Sequence, residues 1–159
     1  MKRITALLFA LIALHPSQAL ANRVSGGENG LDRAIAVACD KWRPLLRANK
    51  LPVKTFSRIA YRESRCTTQA IGWNYKSGYD VQDCKLSPAA TYRKCRAVAS
   101  YDLGLFQINS SWVTVTAQVC GTKWGDVMVL LDPVCNAKVA SFLYTQGGGI
   151  SNWSATSGK

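Results

Sequence analysis

Two carboxylates in this chain, Glu63 and Asp102, lie in surroundings that suit them to chemistry. Glu63 follows Ile59 by four residues and Ala60 by three, so on a helix it leaves from the edge of their apolar face. It also falls in the last turn of that helix, where the helix dipole disfavours negative charge. Both effects favour a carboxyl that keeps its proton. Asp102 stands two residues before Gly104 in the tight run Tyr101–Asn109. Glycoside cleavage needs one carboxylic acid to protonate the leaving oxygen and one carboxylate to attack or steady the sugar cation. Trp, Tyr, Gln and Asn side chains nearby would stack on sugar rings and hydrogen-bond to them. Without that chemistry, Glu63 reads as a solvated helix-end charge beside Arg62 and Arg65, and Asp102 as a turn former ahead of Gly104.

Few other groups compete for the role. The 159 residues include nine Asp and Glu. Glu28 lies in a Gly-rich leader, Asp80 and Asp83 in a polar loop, and Asp132 reads as a helix cap. Asp32, Asp40 and Asp126 read as helix-surface or turn charges. The one histidine, His15, falls inside a segment that reads as removed. A mature chain without histidine excludes Ser-His-Asp and Cys-His catalysis and every His-ligated metal site. No metal and no organic cofactor is called for.

Residues 1–21 read as a secretory signal peptide. Lys2 and Arg3 open it, Ile4 to Leu14 is uncharged, and Ala19-Leu20-Ala21 supplies a small-x-small cleavage site. The apolar run falls short of the roughly 20 residues of a spanning helix, so stable membrane insertion is not expected. Cleavage after Ala21 removes Lys2 and Arg3 but no acid, so the formal charge of +11 becomes +9. Such a surface is drawn to polyanions. Export to the periplasm or beyond the cell makes a nucleic acid the weakest of those partners. The six cysteines, Cys39, Cys66, Cys84, Cys95, Cys120 and Cys135, all follow the signal and read as three disulfides. The expected pairs are Cys84–Cys95 and Cys120–Cys135 as local loops, which leaves Cys39–Cys66 to join two helices. No Cys-x-x-Cys spacing suggests zinc.

The elements that would position this chemistry are mostly helical. Residues 22–30 form a loose leader, and one compact domain occupies 31–159. Apolar residues at 31, 35, 38 and 42 keep a helical period that Pro44 interrupts, and 45–51 can form a further turn. Pro52 opens a second helix with a stripe of Val53, Phe56, Ile59 and Ala60. Thr67 to Ser100 is long and polar; it reads as a loop excursion stapled by its own disulfide, with a short helix near 87–96. Ser100 to Trp112 reads as a turn or short strand. Asp132-Pro133 starts a last helix, with Val134, Ala137, Ala140, Ser141 and Tyr144 at helical spacing, and Gly147 to Gly149 stop it. The fold class is mostly α: a disulfide-stapled helical bundle with a small β or irregular lobe.

Arg62-Glu63-Ser64 with Cys66, followed by Asp102-Leu103-Gly104-Leu105-Phe106-Gln107-Ile108-Asn109-Ser110 and Trp112, resembles the lysozyme-like superfamily. Glu-Ser at a helix end followed by Gly-Leu-Phe-Gln-Ile is similar to the soluble lytic transglycosylase (SLT) domain. Asp102 before Gly104, with Asn109-Ser110 after it, is similar to c-type lysozyme. The stretch from Asn136 to Trp153 is similar to the last part of both.

The resemblance implies an α+β lysozyme-like fold and an enzyme that cuts the β-1,4 bond between N-acetylmuramic acid and N-acetylglucosamine in peptidoglycan. It implies Glu63 as general acid and Asp102 as the carboxylate that attacks or steadies the cation. Ser64 would be the partner of the Glu-Ser motif, and Gln107, Asn109 and Trp112 would line the sugar cleft. Trp153 would pack on the Glu, and Tyr144 would match the transglycosylase tyrosine near it. The chain departs from c-type lysozymes in its longer spacing from Glu63 to Asp102 and its different cysteine pattern. Transglycosylases close the sugar's own hydroxyl onto the cation and need no second carboxylate, so hydrolysis and lytic transglycosylation both stand at this point. The expected partner is the peptidoglycan glycan strand, met by a monomer. The alternative is a non-catalytic cationic wall-binding or antimicrobial protein on the same scaffold.

Overall fold

The structure is a computed structural model that describes residues 30–79 and 97–153. The expected signal peptide at 1–21, the expected leader up to 29, the expected helix near 87–96 and the expected Cys84–Cys95 pair lie outside the described residues. The chain divides into two units, Met1–Ala34 and Ile35–Lys159. Of the first, residues 30–34 are described and are helical. The second opens with the helical residues 35–39 and a 3-10 turn at Asp40–Trp42.

Helix α1 (Arg43–Ala48) follows at once, with Pro44 in its first turn, where a missing N–H costs nothing. Pro44 therefore starts a helix as well as ending the preceding one. Helix α2 (Val53–Ser64) is capped by Pro52 and buries Phe56, Ser57, Ile59, Ala60 and Ser64 along one side. The apolar period read from the sequence is thus the face that packs.

Within the expected polar loop the chain forms strands. β1 (Ile71–Tyr75) pairs antiparallel with β2 (Val98–Leu103), and β2 pairs antiparallel with β3 (Ile108–Asn109). The reading of Thr67 to Ser100 as a loop excursion is corrected at its two ends, where 71–75 and 98–100 are strand. β1 is Ile-Gly-Trp-Asn-Tyr, and Gly and Asn are poor strand formers, so local propensity does not reveal it. Its pairing partner lies more than twenty residues away in sequence: Ile71 faces Leu103, Gly72 faces Asp102 and Asn74 faces Ser100. Just past the paired strands, the Lys76 N–H donates to the Ala97 carbonyl at 2.8 Å.

Helix α3 (Val113–Cys120) is rich in β-branched residues, which have low helix propensity. It is held at its end by the Cys120–Cys135 disulfide, which ties it to the first turn of α4 (Pro133–Gln146). Asp132 caps α4, its carboxylate accepting the Cys135 N–H at 2.9 Å, with Pro133 in the first turn. The helix ends at Gly147 as the glycine run requires. Its packed face is Cys135, Asn136, Ala137, Val139, Ala140 and Leu143. Val134, which keeps the helical spacing in the sequence, is exposed.

The core forms between α2, α4 and the inner side of the sheet. Phe56 is its hub: Phe106, Tyr144 and Trp153 all meet its ring edge-to-face, with centroids at 5.5, 5.3 and 5.3 Å. The Cys39–Cys66 disulfide joins the first helical segment to the end of α2. Both described disulfides are the pairs expected from the cysteine spacing. The architecture is mostly α with a small three-stranded antiparallel sheet.

Candidate functional site

Glu63 and Ser64 form the last turn of α2. Glu63 is half-buried and Ser64 is buried. Glu63 follows Phe56 by seven residues, two helical turns, so it shares the face on which Tyr144 and Trp153 pack.

Beyond Ser64 the backbone turns sharply. Arg65 and Cys66 both occupy the left-handed region, at φ 53° and 61°. Such a conformation costs a non-glycine residue roughly 1–2 kcal/mol. It persists because three ties hold it: the Cys66 N–H returns to the Ala60 carbonyl at 3.1 Å, the Trp42 indole N–H donates to the Cys66 carbonyl at 3.0 Å, and the Cys66 sulfur is bonded to Cys39.

The hydroxyl of Ser64 donates to the Leu105 carbonyl at 2.8 Å. This bond fastens the end of α2 to the turn between β2 and β3. Glu63 is one residue from one end of the bond and Asp102 is three residues from the other.

That turn is over-determined. Gly104 has φ +74°, and a Cβ there would fall on the Leu130 carbonyl and within 2.6 Å of the Asn136 amide nitrogen. Glycine is required on both counts. Asn136 is fully buried, and its amide serves three backbone groups. Its Oδ1 accepts the Phe106 N–H at 2.9 Å, and its Nδ2 donates to the carbonyls of Leu103 at 2.9 Å and Leu130 at 2.8 Å. Gln107 has φ +48°, and its amide nitrogen donates to the carbonyls of Ala70 at 3.1 Å and Gly104 at 3.0 Å. The Trp153 indole N–H donates to the Phe106 carbonyl at 3.0 Å from a buried position.

The sheet carries apolar groups on one face and polar groups on the other, as strand alternation dictates. Leu103 and Ile108 go to the core. Asn74, Ser100, Asp102 and Asn109 fall together on the opposite face. The Asn109 amide donates to one Asp102 oxygen at 2.7 Å and the Asn74 amide donates to the other at 2.8 Å. Both amides also reach the Ser100 hydroxyl, at 3.0 and 3.2 Å. Asn109 cannot be turned around, because its Oδ1 accepts the Ser111 N–H at 2.9 Å. Gly72 leaves the room this face needs: a Cβ there would stand 3.0 Å from the Gln107 side-chain oxygen and 3.3 Å from the Asp102 Cβ.

Asp102 is therefore not a turn former. It lies within β2, both of its oxygens accept side-chain amides, and the turn is made by Gly104, Gln107 and Asn136. Of the other residues singled out in the sequence, Trp112 ends a 3-10 turn at Ser110–Trp112 and packs half-buried against the core. Tyr144 projects from α4 onto Phe56. Sequence reasoning missed Asn74, Ser100 and Asn136 as parts of this arrangement. A signal for Ser100 was present: it precedes Asp102 by two, the spacing of one strand face.

Chemically, the arrangement offers a rigidly aimed carboxylate at Asp102. It also offers a half-buried carboxyl group at the end of a helix that is bonded to the same turn. Comparison of the chain with family models, with curated proteins and with solved structures finds no match.

Proposed function

We propose that this chain adopts a lysozyme-like fold and is an exported glycosidase that cuts the β-1,4 MurNAc–GlcNAc bond of peptidoglycan. The observation that carries this reading is the Asp102 carboxylate, held from both sides by Asn74 and Asn109 on the polar face of the sheet. Both of its oxygens are held by side-chain amides, which fixes the direction in which the carboxylate faces.

In this reading Glu63 gives its proton to the glycosidic oxygen as the bond to the sugar's anomeric carbon breaks. Asp102 faces the positive charge that develops on that carbon and its ring oxygen, and either bonds to it or steadies it until water arrives. Glu63, now ionised, takes a proton from that water. The resemblance gives Trp153 and Tyr144 the task of keeping the surroundings of Glu63 poor in water; both rings pack on Phe56, two turns back along α2. The cleft-lining roles of Asn109, Gln107 and Trp112 belong to the same proposal. The Gln107 nitrogen is occupied by backbone carbonyls, so in this reading its side-chain oxygen is the group that meets a sugar.

The clamp on Asp102 favours hydrolysis over lytic transglycosylation, which uses no second carboxylate. Mass spectrometry of purified peptidoglycan digested by the oxidised protein tests this. Hydrolysis leaves reducing ends, whereas products ending in 1,6-anhydro-N-acetylmuramic acid would demote Asp102. Loss of all cleavage in Glu63→Gln with wall binding retained is the expected companion result. Folded, wall-bound protein that yields no products at all would replace the enzyme with a cationic wall-binding protein.

A further inference from the structure

We propose that Trp124 is the platform of a second glycan-binding site, one that holds a sugar ring of the wall polymer while the Glu63 and Asp102 region works elsewhere on the strand. This inference rests on the peptidoglycan reading for the identity of the polymer.

Trp124 is 73% exposed, whereas Trp42, Trp73 and Trp112 are half-buried and Trp153 is buried. An indole left this open presents a flat apolar face on which a ligand ring can stack. Trp124 is held in place. Its indole N–H reaches the Thr114 hydroxyl on α3 at 3.4 Å, and the turn that carries it closes through the Asp126 N–H to the Lys123 carbonyl at 3.1 Å.

The turn bounds an open-sided hollow of about 470 Å³, lined by Lys123, Trp124, Gly125 and Asp126. No residue of the candidate catalytic site lines it. Gly125 adds no wall: it has φ +91°, and a Cβ there would meet nothing within 4 Å. The hollow is roofless, as a polymer that passes across it requires.

The chemistry of the lining selects a sugar. An indole face accepts the C–H face of a pyranose. Wall glycan also carries lactyl-peptide carboxylates that suit the Lys123 ammonium.

The test uses the oxidised mature protein and two probes. In NMR titrations with N-acetylglucosamine tetramer, the Trp124 indole N–H resonance, assigned by its absence from Trp124→Ala, is expected to shift. In sedimentation with insoluble peptidoglycan, Trp124→Ala is expected to bind about five-fold more weakly, and Trp124→Phe to keep most of the affinity. Thermal melts confirm that each variant is folded. A Trp124 resonance that does not move, or a folded Trp124→Ala that binds walls like the wild type, overturns the site. Loss of binding to anionic phospholipid vesicles with wall binding intact also overturns it. Cleavage products from the wild-type protein report on the glycosidase reading separately. Trp124-dependent binding without cleavage leaves this site standing and removes that reading; cleavage with Trp124-independent binding does the reverse.

Discussion

The side-chain amide of Asn109 donates to one carboxylate oxygen of Asp102 at 2.7 Å, across the β2–β3 pair in which the two residues are register partners. The other end of the same amide caps the following turn through the Ser111 N–H. Asn109 thus sets the aim of Asp102 with a side chain that is itself fixed at both ends.

Asn109→Asp separates those two tasks. Aspartate caps a turn as well as asparagine does, so the Ser111 bond survives. The donor to Asp102 becomes a second carboxylate. We expect stability within about 1 kcal/mol of wild type, since both carboxylates are partly solvated. Turnover of peptidoglycan should fall about a hundredfold, with the larger loss in kcat. Turnover within a few-fold of wild type would mean that the aim of Asp102 is irrelevant to cleavage.

Asn136→Leu should destabilise the fold by about 4 kcal/mol, because the Phe106 N–H and two buried carbonyls lose their partner together. Chemical denaturation, read at the midpoint and at constant slope, measures it. A cost below about 1 kcal/mol would show that the turn has alternative partners.

Gly104→Ala asks for less volume and faces two obstacles, the left-handed backbone and the Leu130 carbonyl. We expect a loss of at least about 3 kcal/mol, more than a buried alanine elsewhere would produce. Tm is the direct readout, and an unchanged value would contradict the tightness of this turn.

The double variant Cys39→Ser/Cys66→Ser opens a loop with a sequence separation of 27. Chain entropy alone assigns about 3–4 kcal/mol to that closure. The strained pair Arg65 and Cys66 should relax as well, so Glu63-dependent cleavage is expected to fall further than stability does. Activity measured well below the variant's own Tm distinguishes the two; activity that simply follows the folded fraction would assign no positioning role to the disulfide.

Much of the helical frame was legible because its signals are local. Pro52 marks the start of α2, Asp132-Pro133 the start of α4 and the glycine run its end, and each depends only on near neighbours. The disulfides Cys39–Cys66 and Cys120–Cys135 followed from spacing. The sheet was not legible, since the identity of β1 depends on a partner in the run from Val98 to Leu103. The same non-locality hid Asn74, whose significance exists only once it faces Ser100 and reaches Asp102. Asn136 looked like one more polar position on α4; only the closeness of the Gly104 turn makes it a buried clamp. The β-branched run from Val113 disguised α3 as well. Glu63, Ser64, Asp102 and Asn109 stand out in the sequence because motif spacing, unlike register, can be read along the chain.

The hydrogen bond from Lys76 to Ala97 closes the β1–β2 pair at its outer end, while Ser64 and Leu105 fasten the inner end to the helix. The two candidate carboxylates therefore take their positions from these fastenings rather than from the number of residues strung between them. Distance along the chain and distance in space are thereby uncoupled for this pair: the fastenings on either side, not the length of chain between them, hold the end of α2 and the polar face of the sheet in place.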